Sequence, residues 1–317
     1  MNIGNKWWLY STICVLCWGL YPIPFNKASN SLKGDIAGVM FLYFASYALF
    51  ALTVLLPRRV LRLKEHGGAL ILGKKEVFLG IGYAFLNLGC QGLYLYALMS
   101  SPNVGITAAI AYGLVPITNL LIMRMVERYE ARLEVKFIAG ILLLSVAVAI
   151  SSSLKGRTSL GGNLYNPYWM IFAILVPIGW SIVNVAVFKL RKQHNEDADV
   201  AFFYLVVGYI IFCGAIPFIK GEGNPIQFLK GLNANAVLFG VLAGCIAATG
   251  TVSALRSRQY YQNDVTPVAL AFGGTPVVAG VLAAVMTGYA PPLYWVAMAL
   301  FPASVFLIVA YGPKRKN

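Results

Sequence analysis

Stretches of about 20 apolar residues alternate with short polar segments from one end of the chain to the other. A helix needs roughly 20 predominantly apolar residues to cross the hydrocarbon core, because its backbone groups must all be satisfied within the segment. Ten windows meet that demand: Trp7 to Ser29, Ile36 to Leu56, Val77 to Ser100, Val104 to Val126, Val135 to Ser152, Tyr168 to Leu190, Val200 to Ile219, Ala236 to Arg256, Val265 to Thr287 and Leu293 to Tyr311. The pattern predicts an all-α integral membrane protein with ten transmembrane helices.

Composition removes the soluble alternative. Of 317 residues, 59% are hydrophobic and 11% charged, and the mean hydropathy is +0.72, far outside the range of soluble globular domains. On the span map every acidic residue, Asp199 included, falls in a loop or at a span end, and no apolar interior holds an acid. The first window is too long for the core of a signal peptide and has no small-residue cleavage site, so it is expected to remain as a span.

The net charge of +14 is distributed unevenly. If the spans alternate in direction, only Lys27, Lys33, Lys155, Arg157, Lys220 and Lys230 fall on the side opposite the N-terminus. The rest of the 25 basic residues, Arg256 and Arg258 among them, fall on the N-terminal side. By the positive-inside rule both termini are cytoplasmic, as expected for a multi-pass protein of a cell membrane, of the bacterial inner-membrane kind. Basic loops of this sort anchor the chain against anionic headgroups. Spread over many segments without a binding module, they give no reason to expect nucleic acid as a partner.

The two halves resemble each other. An offset of 160 aligns Ala111, Tyr112, Gly113 and Pro116 with Ala271, Phe272, Gly273 and Pro276, and pairs Gly80 with Gly240 and Asn103 with Asn263. An offset of 162 pairs Trp18 with Trp180 and Lys27 with Lys189. Five spans per half is an odd number, so a second copy enters the membrane from the opposite side. The expected organisation is therefore two inverted five-helix repeats, residues 1–153 and 154–317. Such repeats place a solute site near the midplane, at the interface of the copies.

The residues Cys17-Trp18-Gly19 followed by Asn26 and Lys27, the stretch from Asn103 through Pro116 to Glu127, and Gly140 within Ile138 to Leu142 carry a family likeness. On these the chain resembles the drug/metabolite transporter superfamily, in its EamA-like ten-helix branch, over nearly its whole length. The family often has a Gly-Glu pair after the fourth and ninth spans; here Val126-Glu127 or Tyr129-Glu130 and then Gly288-Tyr289 stand at those points. The resemblance implies export or exchange of small metabolites, amino acids among them.

Candidate site residues follow from polar and aromatic positions inside spans. Gly80, Tyr83, Asn87, Gln91 and Tyr94 are spaced by 3, 4, 4 and 3, which at about 100° per residue puts them on one helix face. That face should meet protein or a water-filled cavity, since an amide facing lipid is costly. The counterparts in the eighth span, Gly240, Ala243, Ala247, Thr251 and Ala254, are nearly all small and leave room for a solute. Interhelical hydrogen bonding, with Gly240 and Gly244 as a close-packing pair, is the alternative use of these positions. Trp18, Tyr21 and Phe25 form a possible aromatic wall on the first span, where Pro22 and Pro24 remove two backbone donors and bend the helix. Tyr112, Asn119, Trp180 and Asn184 complete the set of candidates.

With no acid inside the spans, there is no counter-charge for an organic cation and no proton relay, which favours a neutral, zwitterionic or anionic solute. The expected function is alternating-access transport of a small polar metabolite, with the lipid bilayer as surroundings and no cofactor. The oligomeric state is left open. A membrane-embedded enzyme acting on a lipid-linked substrate is the competing class; its best cluster is His194, Glu196, Asp197 and Asp199, which also reads as a hydrated loop balancing Lys189, Arg191 and Lys192. A channel is the third. No catalytic or metal-binding residue is expected: Cys14 and Cys17 have a CxxC spacing but nothing to complete a site, and all five cysteines read as apolar core.

Overall fold

The computed structural model describes residues 6–33, 35–58, 60, 74–100, 104–127, 134–153, 168–193, 198–221, 223–260, 265–287 and 292–312, and over them the chain is helical. The helices are α1 (Lys6–Leu20), α2 (Pro22–Ser31), α3 (Ile36–Phe50), α4 (Lys74–Ser100), α5 (Val104–Glu127), α6 (Val135–Ser153), α7 (Trp169–Gln193), α8 (Ala198–Ile219), α9 (Pro225–Gly231), α10 (Ala234–Tyr260), α11 (Val265–Thr287) and α12 (Pro292–Tyr311). Among the described residues six helices are long and apolar enough to cross a membrane. Shorter apolar helices occupy Ile110–Val126, Val135–Val148, Thr266–Ala279 and Trp295–Tyr311. Each apolar window in the sequence thus contains helix, and the chain is an integral, multi-pass membrane protein. Large apolar side chains such as Phe78, Met125, Ile219 and Val285 stand exposed on the outside, where water would make them an aggregation surface and lipid does not.

The first apolar window is not one uninterrupted helix. Pro22 and Pro24 have no N–H to give to the carbonyls of Trp18 and Leu20, and the helix breaks at Tyr21 between α1 and α2. The bonds on either side persist, Tyr21 N to Cys17 O at 2.9 Å and Phe25 N to Tyr21 O at 3.0 Å, so the chain is bent rather than reversed. A second irregularity follows α3, where Ala51–Leu55 widens to a π turn.

Close packing is concentrated where side chains are small. α1 and α2 lie along α10, α4 along α7, α3 against α10, α4 against α8, α1 against α11, α5 against α7, and α6 against α12. A Cβ on Gly244 would stand 2.5 Å from the Tyr43 carbonyl oxygen and 2.5 Å from Ser46 Cβ, and one on Gly240 would overlap Leu42. Absence of a side chain is what allows α10 to touch α3. Between α5 and α7, Thr118 Oγ1 bonds Ser181 Oγ at 2.7 Å and donates to the Pro177 carbonyl at 3.1 Å.

The end of the molecule holding α9 is tied by polar contacts. Asn224 accepts from Gln227 N at 2.9 Å and Ile226 N at 3.1 Å, while its own N–H reaches back to Gln227 Oε1, a reciprocal cap of the kind that fixes short helices. Phe228 is buried edge-on to Phe41 with ring centroids 4.9 Å apart, and Lys220 pairs with Asp35. At the opposite end of the bundle Ser11 Oγ bonds Ser257 Oγ at 2.5 Å, and Tyr10 stacks on Tyr260.

Two placements correct the sequence reading. The eighth window ends at Arg256 in sequence, but α10 continues to Tyr260 and buries Arg258, which is only 4% exposed. Asp199 is not in a hydrated loop: it sits in the first turn of α8, 3% exposed. Arg256 neutralises it, with Nη2 donating to Oδ1 at 2.7 Å and to Oδ2 at 3.0 Å and Nε donating to Oδ1 at 3.2 Å. A bidentate guanidinium makes such burial tolerable. His194, Glu196 and Asp197 lie outside the described residues, as do Asn103, Glu130 and Gly288-Tyr289.

Candidate solute-binding cavity

A cavity of about 110 Å³ opens between the helices at the middle of the bundle, with walls drawn from α1, α3, α4, α5, α7, α8, α10 and α11 and with Tyr21 at the α1–α2 break. Its centre is aromatic. Trp18 meets Phe272 at 5.1 Å between ring centroids, Tyr112 meets Trp180 at 5.5 Å, and Trp180 meets Phe272 at 5.8 Å. Offset and edge-on rings at these distances attract one another as well as a guest.

Tyrosine hydroxyls and two amides bring polarity to this apolar frame. Tyr47 hydroxyl bonds Tyr43 hydroxyl at 3.3 Å and Thr251 Oγ1 at 3.1 Å, and Thr251 passes a bond to the Ala247 carbonyl at 3.0 Å. Trp18 Nε1 donates to the same carbonyl at 3.3 Å. Asn87 Nδ2 donates to the Tyr209 hydroxyl at 2.6 Å, joining α4 to α8. Tyr21, Tyr112 and Gln91 add further hydroxyl and amide groups to the lining. Buried polar groups linked in this way hold the walls in one arrangement.

One end of the cavity is charged. Arg258 Nη2 donates to Asn184 Oδ1 at 2.6 Å. That bond fixes which way the amide points, and leaves Asn184 Nδ2 buried without a hydrogen-bond partner among the described residues. No carboxylate lines the cavity among the described residues.

Of the residues selected from sequence, Trp18, Tyr21, Asn87, Gln91, Tyr112, Trp180 and Asn184 line the cavity together. Tyr94 does not; it backs the aromatic wall, 5.6 Å from Tyr112 and 5.5 Å from Trp180 by ring centroid. Tyr83 packs beside the buried Tyr204, away from the cavity. Asn119 is buried at 1% exposure, its Oδ1 unbonded among the described residues, and is not part of the lining. Phe25 stands edge-on behind Tyr21 and Tyr43. The five cysteines are free thiols.

Sequence reasoning missed Tyr43, Tyr47, Tyr209 and Arg258. The tyrosines sit in windows so uniformly apolar that no face stands out. Arg258 lies just past the end of its apolar window, where a basic residue reads as a topological anchor. The signal available was position: Tyr47 and Tyr209 are separated by the same 162 residues as Trp18 and Trp180.

No protein-family model and no curated protein matches the sequence. Among solved structures the chain is similar to one described only as "Crystal structure of protein", with a TM-score of 0.67 and 17% identity over 95% of this chain and 97% of that one. At this identity the likeness concerns the fold. The helical fold is thus shared over nearly the whole of both chains.

Proposed function

We propose that the protein is a secondary carrier of a small polar metabolite, working by alternating access, with ten spans arranged as two inverted five-helix repeats, 1–153 and 154–317. The observation that carries this reading is the make-up of the cavity. Trp18 and Trp180, Tyr21 and Val183, Tyr43 and Leu205, and Tyr47 and Tyr209 are separated by 162 residues. Gln91 and Thr251, and Tyr112 and Phe272, are separated by 160, and both members of every pair line the cavity. A pocket that uses the same position from each half lies on the interface of the copies.

Helix packing supports the same reading. Gly80 of α4 is close to Tyr204 of α8, and Gly240 of α10 is close to Leu42 of α3; adding 160 to the glycine and subtracting 162 from its partner converts the first contact into the second. Gly179 against Cys90 and Gly250 against Cys17 form another exchanged pair. Such a molecule has two conformations of equal architecture available, each produced by swapping the shapes of the halves, and the central site faces a different side in each. The excess of basic residues on the N-terminal side supports an orientation with both termini in the cytoplasm, in a cell membrane of the bacterial inner type. Membership in the EamA-like branch of the drug/metabolite transporters fits the whole.

Counterflow tests the proposal. Purified protein is screened by thermal stabilisation against small metabolites, and each stabilising solute is loaded into proteoliposomes. A carrier accumulates external labelled solute transiently and saturably when the same solute is inside. Flux that rises linearly with concentration, with no response to internal solute, marks a channel and rejects the proposal. Turnover of a lipid-linked substrate without flux marks an enzyme.

A further inference from the structure

We infer that Tyr21, Phe25, Tyr43 and Tyr94 form a gate of rings that shuts the cavity at its α2 end, and that their bulk, unmatched at the other end, makes this the resting conformation. This adds a conformational preference to the carrier reading and rests on it.

The cavity leans to one side. Beyond its counterpart pairs the lining continues through Asn184 and Val187 of α7 and Ala254, Leu255 and Arg258 of α10, whose counterparts, Phe25, Tyr94 and Leu95 among them, are not in it. Arg258 lies in the last turn of α10, close to Tyr260, whose ring stacks on Tyr10, so the cavity extends toward that end of the bundle. α1 and α2 lead away from Tyr10 past the cavity, and Phe25 stands at the opposite end. By the positive-inside assignment the Tyr260 end is cytoplasmic and the α2 end is outer.

Rings cover the α2 end. Phe25 is edge-on to Tyr43 at 5.6 Å between centroids and to Tyr21 at 6.2 Å, and Tyr21 meets Tyr43 at 5.7 Å. Tyr94 backs the wall from α4, against Tyr112 and Trp180. All four rings are 8% exposed or less. Their counterparts are Val183, Val187, Leu205 and Ala254: every ring is matched by a side chain without one, and all four of these line the cavity.

Exchanging the shapes of the halves closes the Tyr260 end with two valines, a leucine and an alanine, and parts the four rings at the other end. Aromatic side chains bury more apolar surface than these aliphatic ones and attract one another in edge-on pairs. The conformation that keeps the rings together is therefore the lower of the two, and the populations follow from that difference.

Thiol accessibility in the purified full-length protein, with the five native cysteines replaced by alanine, tests this. Leu95→Cys reports on the α2 end and its counterpart Leu255→Cys on the Tyr260 end. In detergent a water-soluble maleimide reaches both ends, so orientation in the membrane does not enter. Leu255→Cys is expected to react about tenfold faster than Leu95→Cys, as for two conformations populated in that ratio. Phe25→Val copies the counterpart and removes much of one buried ring, enough to shift the equilibrium about tenfold. From such a ratio the rate at Leu95→Cys rises about fivefold and that at Leu255→Cys falls about twofold. Val187→Phe adds a ring at the other end and is expected to move both rates the same way, which keeps the test if Phe25→Val does not fold. Equal rates in the parent, faster reaction at Leu95→Cys, or variants that leave both rates unchanged or raise both overturn the inference. Reciprocal rates without counterflow of any solute keep the gate and reject the carrier reading; counterflow with unchanged rates does the reverse.

Discussion

Arg256 of α10 clasps Asp199 of α8 through both Nε and Nη2, 2.7 Å from Oδ1 at the closest. The carboxylate and the guanidinium side chains are only 4% and 13% exposed, so neither charge is well served by water. The pair joins the start of one helix to the far end of another, close to the Ser11–Ser257 and Tyr10–Tyr260 contacts.

Removing either partner takes a bidentate, charge-assisted contact from the other. Asp199→Asn or Arg256→Gln should each lower stability by about 3 kcal/mol, the usual cost of breaking a buried ion pair from one side. The double variant should lose less than the sum of the two. Thermal unfolding in detergent, arranged as a double-mutant cycle, measures this; additive losses would mean that the pair is not coupled in the folded protein.

Glycines in the bundle divide into two kinds, and alanine tells them apart. A Cβ at Gly244 meets the Tyr43 carbonyl and Ser46, whereas one at Gly82 has nothing within 4 Å. Gly244→Ala should therefore destabilise by about 1 to 3 kcal/mol through overpacking. Gly82→Ala should stabilise by up to about 1 kcal/mol, because alanine loses less backbone entropy in a helix. Melting temperatures moving in opposite directions are the expected result, and matching shifts would contradict the packing of α3 on α10.

Asn87 and Gln91 line the cavity, while Tyr83 on the same helix face does not. Asn87→Ala removes the donor to Tyr209 and Gln91→Ala removes an amide from the lining. Each should weaken solute binding by about tenfold, the worth of one good hydrogen bond in a desolvated site. Tyr83→Phe should leave affinity within about twofold, below the scale of one such bond. Titration of the best stabilising solute against the three variants checks the order; unchanged affinity in both amide variants removes this wall from the site.

Topology can be read by labelling. Lys230 at the end of α9 and Lys136 near the start of α6 fall on opposite sides by the positive-inside rule. A cysteine replacing Lys230 should react with an impermeant maleimide in intact cells. One replacing Lys136 should react only after permeabilisation. The opposite pattern would invert the proposed orientation while leaving the fold untouched.

Much of the architecture was legible because crossing a bilayer constrains a chain so strongly. Apolar runs of sufficient length can satisfy their backbone in lipid only as helices, so the windows around Tyr43, Asn87 or Thr251 announced their form without any knowledge of their neighbours. Trp18 and Trp180 were legible as site candidates through their matching positions, and Asn87, Gln91 and Asn184 through their polarity in an apolar setting.

Tertiary structure decided the rest, for a physical reason visible in two arginines. In sequence Arg256 and Arg258 are neighbours at a helix end and look interchangeable. Two residues along a helix point in directions about 200° apart, so one turns to Asp199 and the other to Asn184 and the cavity. Likewise Tyr83, Asn87 and Tyr94 share a stripe, yet different groups face its three levels: Tyr83 meets Tyr204 of α8, Asn87 meets Tyr209 of the same helix and the cavity, and Tyr94 meets the back of Tyr112 and Trp180. The sequence by itself determined that these side chains would avoid lipid. Which protein group each would meet depends on contacts between residues far apart in the chain, and only the packed bundle supplies those.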